Sequence, residues 1–153
     1  MNRMNSWSPK ILDFYQNLSA HPMAKDFEVL YPYTENEVKA VMKAFYEKFY
    51  DDTGSRTMIL GINPGRFGAG VTAIPFTDPL RLERDCGIAH ALQGGRELSS
   101  VFVYELIDRL GGVEDFYRKY YISSVSPLGF VREGKNLNYY DDQRLFKSWK
   151  PWI

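Results

Sequence analysis

Thr57-Met58-Ile59-Leu60-Gly61-Ile62 is a short, nearly continuous apolar run that empties directly into Asn63-Pro64-Gly65. A run of this length, bounded by turn residues, suits a strand buried on both faces of a parallel sheet better than a helix. Asn tolerates unusual backbone angles and Pro-Gly enforces a turn, so the chain must leave the sheet sharply at this point. Tyr120-Tyr121-Ile122-Ser123-Ser124-Val125, ended by Pro127, reads as a second strand of the same kind. Helical patterns lie between and around the two. The expectation is a three-layer α/β/α fold on a short parallel sheet, with the loops after Ile62 and Val125 facing one crevice.

The helices follow from apolar spacing. Ser8-Pro9 opens the first, which turns Ile11, Leu12, Tyr15 and Leu18 inward. Glu35 to Tyr50 forms the second, with Val38, Val41, Met42, Phe45 and Phe49 on its inner stripe. Ser99 or Ser100 caps a third, with Phe102, Leu106, Ile107 and Leu110 inward and Gly111-Gly112 as its stop. A brief helix from Val113 to Arg118 precedes the second strand, and Gln143 to Trp152 begins another with Leu145, Phe146 and Trp149 inward. Asn63 to Gly95 is a long irregular stretch, and loops of that length inside a compact unit usually carry function. Two strands make a poor sheet, so a C-terminally incomplete fold is expected.

The chain's 153 residues are enough for one core, and no repeat or linker divides them, so residues 1–153 are read as one domain. Nineteen basic residues balance nineteen acidic ones, which leaves any nucleic-acid binding to local patches. Arg66, Arg81, Arg84, Arg132 and Lys135 could rim the crevice as phosphate contacts, or be ordinary solvated surface. Cys86 is the single cysteine, which excludes an internal disulfide and a thiolate metal cluster and leaves it as a small apolar filler. His21 and His90 lie far apart with no ligand partner at metal spacing, so no metal is expected. Met1 to Pro9 lacks the apolar core of a signal peptide, and no apolar run could span a bilayer. A cytoplasmic monomer, off the membrane and without cofactor, is the reading.

Taken alone, Gly61-Ile62-Asn63-Pro64-Gly65 is equally a turn and nothing more. A phosphate-binding loop is excluded, because no G-x-x-x-x-G-K-[ST] occurs and no helix follows the glycines. Gly61-Ile62-Asn63-Pro64-Gly65-Arg66-Phe67-Gly68 followed by Thr72-Ala73-Ile74-Pro75-Phe76 resembles the first motif of single-strand-selective monofunctional uracil-DNA glycosylases. It is also similar to the corresponding turn of mismatch-specific uracil and thymine glycosylases, but Phe67-Gly68 and Pro75-Phe76 favour the former. Phe116 to Tyr121, Ser126-Pro127-Leu128 and Gly134-Lys135-Asn136-Leu137 fall in that family's order, so the resemblance covers about Thr57 to Asp142. It looks nearest to a bacterial second subgroup.

The resemblance implies base excision repair: hydrolysis of the N-glycosidic bond of a deoxyuridine flipped out of DNA, with DNA as partner and no cofactor. Asn63 matches the catalytic asparagine, whose carbonyl would orient water at C1′. Phe76 matches the ring that stacks on the base, and Ile62 donates through its backbone. Gly61, Pro64, Phe67 and Gly68 shape the pocket, and Gly65 leaves room near the sugar. Arg66, Arg132 and Lys135 are the implied phosphate contacts. Ser124 stands where the family reads the pyrimidine edge with Asn, which opens base choice to hypoxanthine or xanthine. The family's later His-Pro motif has no counterpart before Ile153, and neither His21 nor His90 matches it. The alternative is therefore a noncatalytic damage-binding module or an inactive shortened homologue.

Overall fold

The computed structural model describes residues 5–19 and 26–153, so His21 lies outside the described residues. The chain order is α1 (Trp7–Gln16), β1 (Glu28–Leu30), α2 (Asn36–Tyr50), β2 (Thr57–Gly61), α3 (Ala69–Thr72), α4 (Pro79–Arg84), α5 (Leu98–Arg109), α6 (Gly112–Lys119), β3 (Tyr120–Ser124), β4 (Gly129–Arg132), β5 (Lys135–Leu137) and α7 (Gln143–Trp149). The fold is mixed α/β. β2 and β3 pair in parallel, in register from Thr57 with Tyr120 to Gly61 with Ser124, as their apolar character predicts. A second sheet that the pattern does not announce joins β1, β4 and β5 antiparallel in the order β1-β4-β5. Its strands are three or four residues long, too short to leave a periodic signature.

α2 forms the centre of the core. Val38, Val41, Met42, Phe45 and Phe49 are buried as their spacing requires, and Tyr46 and Tyr50 widen the stripe. The rings of Phe45, Phe49 and Tyr50 pack against Tyr117 of α6, while Tyr15 of α1 stacks on Tyr33 at 4.9 Å between centroids. Cys86 fills a fully closed position beside Tyr104, and burial pushes its thiol up to about 12. Its Sγ lies 3.1 Å from the Tyr104 hydroxyl, and it is packing, as the absence of a His or acid at recognisable spacing in the sequence suggests.

Two burial expectations fail. β2 is not buried on both faces: Met58 and Leu60 are each 55% exposed, because β3 is the one strand hydrogen-bonded to β2 among the described residues. α5 begins at Leu98 with Glu97 as its cap, not at the serines, and it turns Ser100, Tyr104 and Ile107 inward. Phe102, Leu106 and Leu110 therefore face out, contrary to the inward placement that apolar spacing suggests. The helix is apolar on two sides, and Tyr104 wins the inner one through hydroxyl contacts with Thr77 and Tyr117. In α7, Leu145 and Trp149 are buried, but Phe146 is partly exposed. The irregular stretch from Asn63 to Gly95 contains α3 and α4.

Arg56 locks the sheet to the helices just before β2. Its guanidinium pairs with Asp52 at 2.6 Å, donates to the carbonyls of Tyr117 and Phe49, and lies 4.8 Å from the centre of the Tyr50 ring. Replacing it leaves two carbonyls without this donor and takes the ion-pair partner from Asp52, which keeps only the Gly54 N–H. Arg56→Ala is expected to lower the free energy of unfolding by about 2–4 kcal/mol in urea titration, far more than an exposed arginine would.

Candidate active site

The sharp exit from β2 is held from β3. The parallel ladder continues one step past both strands, since Val125 N–H donates to the Gly61 carbonyl at 2.9 Å and Ser126 N–H to the Ile62 carbonyl at 3.0 Å. Asn63 is thereby delivered to the rim of a cavity of about 410 Å³. Gly61, Ile62, Pro64, Gly65 and Phe76 share its wall with Asn63. Four further polar residues line it: Glu97, Ser99, Asn136 and Asn138.

Asn63 is fixed at both ends of its carboxamide. Nδ2 donates to the Leu137 carbonyl at 3.1 Å, and Oδ1 accepts from the Tyr139 N–H at 3.0 Å. The side chain thus acts as a short strand rung that ties the β2 exit to the segment after β5. An amide carbonyl has two lone pairs, so Oδ1 keeps one for a further donor. Asn is neutral, so what it offers such a donor is orientation.

Phe76 reaches the cavity through a backbone that few side chains adopt, with φ at +55°. Left-handed backbone at a non-glycine residue costs about 1–2 kcal/mol and gathers at functional positions. Thr72 pins the turn, its hydroxyl donating to the Thr77 carbonyl at 2.6 Å. A β-carbon on Gly61 would stand 2.8 Å from the Phe76 ring, so the glycine is what lets the ring lie on the strand's last residue.

Glu97 explains two more glycines of the motif. Carbon added at Gly68 would lie 1.5 Å from its Oε2, and at Gly65 2.8 Å from its Oε1. Gly65 thus makes room for a carboxyl group of the protein itself, a partner that the motif does not reveal. Oε1 accepts the Ser99 hydroxyl at 2.8 Å, whereas Oε2 is buried without a hydrogen-bond partner. Burial pushes this carboxyl above the ordinary glutamate range, nearby Asp78 pushes the same way, and the Ser99 hydroxyl pulls it back. Asp78 is buried too, but hydrogen bonds from Ser100, Arg81 N–H and Glu97 N–H outweigh that burial and hold it low.

The remaining candidates are placed around this wall. Phe67 is partly exposed, with the Arg66 guanidinium 4.3 Å from its ring centre and Gly95 beneath it. Gly68 is buried at the start of α3. Ser124 pairs with Gly61 in the sheet and lies outside the cavity lining. Lys135 is exposed on β5. Arg132 is paired with Asp142 at 2.8 Å and rests on Phe27. Arg81 is buried against Asp85 and Tyr104, so it is a core residue, not a rim one, and Arg84 pairs with the same Asp85. His90 is held by the Pro79 carbonyl and the Leu92 N–H, away from the cavity. Among the described residues no group of His, Cys, Asp or Glu could hold a metal ion, and no helix is long and apolar enough to cross a membrane.

Two outcomes test this arrangement. Gly68→Ala must displace Glu97 and is expected to cost about 1–3 kcal/mol of stability, with part of the loss recovered when Glu97→Ala is added, a coupling that a double-mutant cycle reads directly. Burial favours the neutral form of Glu97, so this contribution to stability is complete below the ordinary value of 4.5 and is lost as pH rises through the raised one. Denaturation curves from about pH 4 to pH 8 should show the wild type losing ground to Glu97→Gln. Asp78 acts with the opposite sign, its contribution fading as pH falls through its lowered value.

No protein-family model and no curated protein matches the chain. Among solved structures it is similar to Pedobacter heparinus SMUG2, at 44% identity and a TM-score of 0.88 over 95% of this chain. The match spans 66% of the length of that protein. Identity at this level over nearly the whole chain, with the β2 exit, Asn63 and Phe76 on one cavity wall, places the chain in the uracil-DNA glycosylase superfamily.

Proposed function

We propose that the chain acts in base excision repair of DNA, hydrolysing the N-glycosidic bond of uracil or a related deaminated base flipped into the cavity at the β2 exit. The observation that carries this reading is the joint placement of Asn63 and Phe76 on the wall of that cavity, one a fixed carboxamide and the other a ring in a strained turn. In the proposed reaction the base stacks on Phe76 and water takes the remaining lone pair of Asn63 Oδ1. The water oxygen bonds to C1′ as the C1′–N bond breaks, the electron pair leaves with the base as a delocalised anion, and the proton that the water gives up passes through solvent to that anion. Positioning carries the catalysis, since Asn63 cannot take up a proton at neutral pH. In this proposal Arg66, whose guanidinium lies over Phe67, and exposed Lys135 contact the DNA phosphates, whereas Arg132 is paired with Asp142. Monomeric action in the cytoplasm belongs to the same proposal.

A second reading is a binder of damaged DNA that does not turn over. It draws on the cavity wall, whose lining residues include no cation to stabilise a departing anion.

A labelled single-stranded oligonucleotide containing one deoxyuridine separates the two. The first reading expects free uracil and an alkali-labile abasic site, and a loss of about 100-fold or more in Asn63→Ala with the fold retained by circular dichroism. Tight binding of the uracil oligonucleotide with no release by the wild type selects the second.

A further inference from the structure

The turn after β5 lies against Asn63 and carries two tyrosines. Asn138 lines the cavity and the Tyr139 N–H donates to Asn63 Oδ1, so Tyr139 and Tyr140 follow directly on the cavity rim. The turn is closed twice: the Asp141 N–H donates to the Asn138 carbonyl at 3.0 Å, and Asp141 Oδ2 accepts the Asn138 N–H at 2.8 Å. Tyr139 packs against the core, its ring stacked on Phe146 of α7 at 6.4 Å between centroids. Tyr140 stands edge-on to Tyr139 at 5.1 Å and is 50% exposed. A rigid turn thus holds a large ring half in water, one residue from the amide that fixes Asn63. Both acids beside it are engaged, Asp141 by Asn138 and Asp142 by Arg132 and Arg144, which lowers their repulsion of a polyanion.

We infer that Tyr140 is a stacking surface for a nucleobase that flanks the flipped one, on the strand that carries the lesion. The inference rests on the reading of the cavity as a nucleobase pocket. What identifies the partner is covalent adjacency. In that reading Asn63 Oδ1 holds the water that attacks C1′, so the sugar of the flipped nucleotide lies one water from the oxygen that the Tyr139 N–H reaches. Its two neighbours are joined to that sugar and leave the cavity over its rim, one on each side. Extrusion strips each neighbour of a stacking partner. An aromatic ring at the rim replaces that partner, and it does so for any base, because every base has a π-face. Tyr140 therefore takes no part in choosing the lesion. It holds the strand in which the lesion lies, from a turn that also holds Asn63.

The test is binding, by fluorescence anisotropy, of a short single strand carrying one 2′-fluorinated deoxyuridine, which resists hydrolysis. Matched strands replace the base on its 5′ or its 3′ side by an abasic tetrahydrofuran. Tyr140→Ala, with its fold retained by circular dichroism, is expected to bind the intact strand about 10-fold or more weakly, and Tyr140→Phe within about twofold of the wild type. Removing the base that stacks is expected to weaken the wild type by a similar factor and to leave Tyr140→Ala unchanged, a coupling that a merely structural tyrosine does not produce. Equal effects of each missing base on the wild type and on Tyr140→Ala overturn the stacking role, as does a loss in Tyr140→Phe equal to that in Tyr140→Ala. Release of uracil from the unfluorinated strand is followed in parallel. Release without the coupling removes Tyr140 and leaves the glycosylase reading standing, whereas the coupling without release keeps the stacking surface and removes the hydrolysis. A wild type that binds none of the strands overturns the stacking surface whatever it releases.

Discussion

The parallel pairing of β2 with β3, carried one residue beyond each strand, is the constraint on which the site depends. Gly61 and Ile62 spend their carbonyls on Val125 and Ser126, so the chain cannot drift as it leaves the sheet. Ser126 then passes the constraint on, donating its hydroxyl to the Leu128 carbonyl and accepting the Trp149 indole N–H at 2.7 Å. Through Trp149, which packs edge-on to Phe130, the last helix and the antiparallel sheet are tied to the same two strand ends. The cavity therefore lies where two separately built sheets meet, and Asn63 is the rung between them.

The glycines of the first motif serve the protein's own groups before they serve a ligand. Gly61 admits the Phe76 ring, and Gly65 and Gly68 admit the Glu97 carboxyl. Each brings a residue from far along the chain to within contact of the turn, so the motif records tertiary packing as much as substrate shape. Phe76 in the left-handed region and Glu97 with a buried unpaired oxygen both raise the energy of the folded state locally. Such costs persist where a surrounding framework over-determines the geometry, and the Thr72, Ser99 and Ser100 hydroxyls supply that framework here.

What could be read from the residues follows how locally each feature is determined. The β2 run, the β3 run and the inner stripe of α2 are properties of short windows, and the structure has them where the windows lie. Asn63 and Phe76 were legible because a motif keeps their spacing constant. Glu97 and Asn136 were not, since nothing within five residues of either signals that they meet across Gly65. The antiparallel sheet escaped for a related reason: Gly129–Arg132 and Lys135–Leu137 gain strand character from pairing, with Glu133 and Gly134 at positive φ making the turn. The inward face of α5 was misassigned because Phe102, Leu106 and Leu110 are more apolar than Tyr104, yet only Tyr104 has hydroxyl partners waiting inside.

Ser124 is the point at which the family pattern and this geometry diverge most usefully. A serine at the strand end is too short to replace an asparagine that spans a pocket, and its register partner is Gly61, whose carbonyl is already engaged. Recognition lost at one wall of a cavity can be regained at another only if the new groups are rigid and correctly paired. On the wall opposite, Asn136 accepts the Arg66 N–H, and Glu97 is held by the Ser99 hydroxyl and by its own N–H on Asp78. Because both supports run back to the motif loop or to the helix cap beside it, a change of reader need not disturb Asn63. The fold can thus hold Asn63 in place while the opposite wall of the cavity differs.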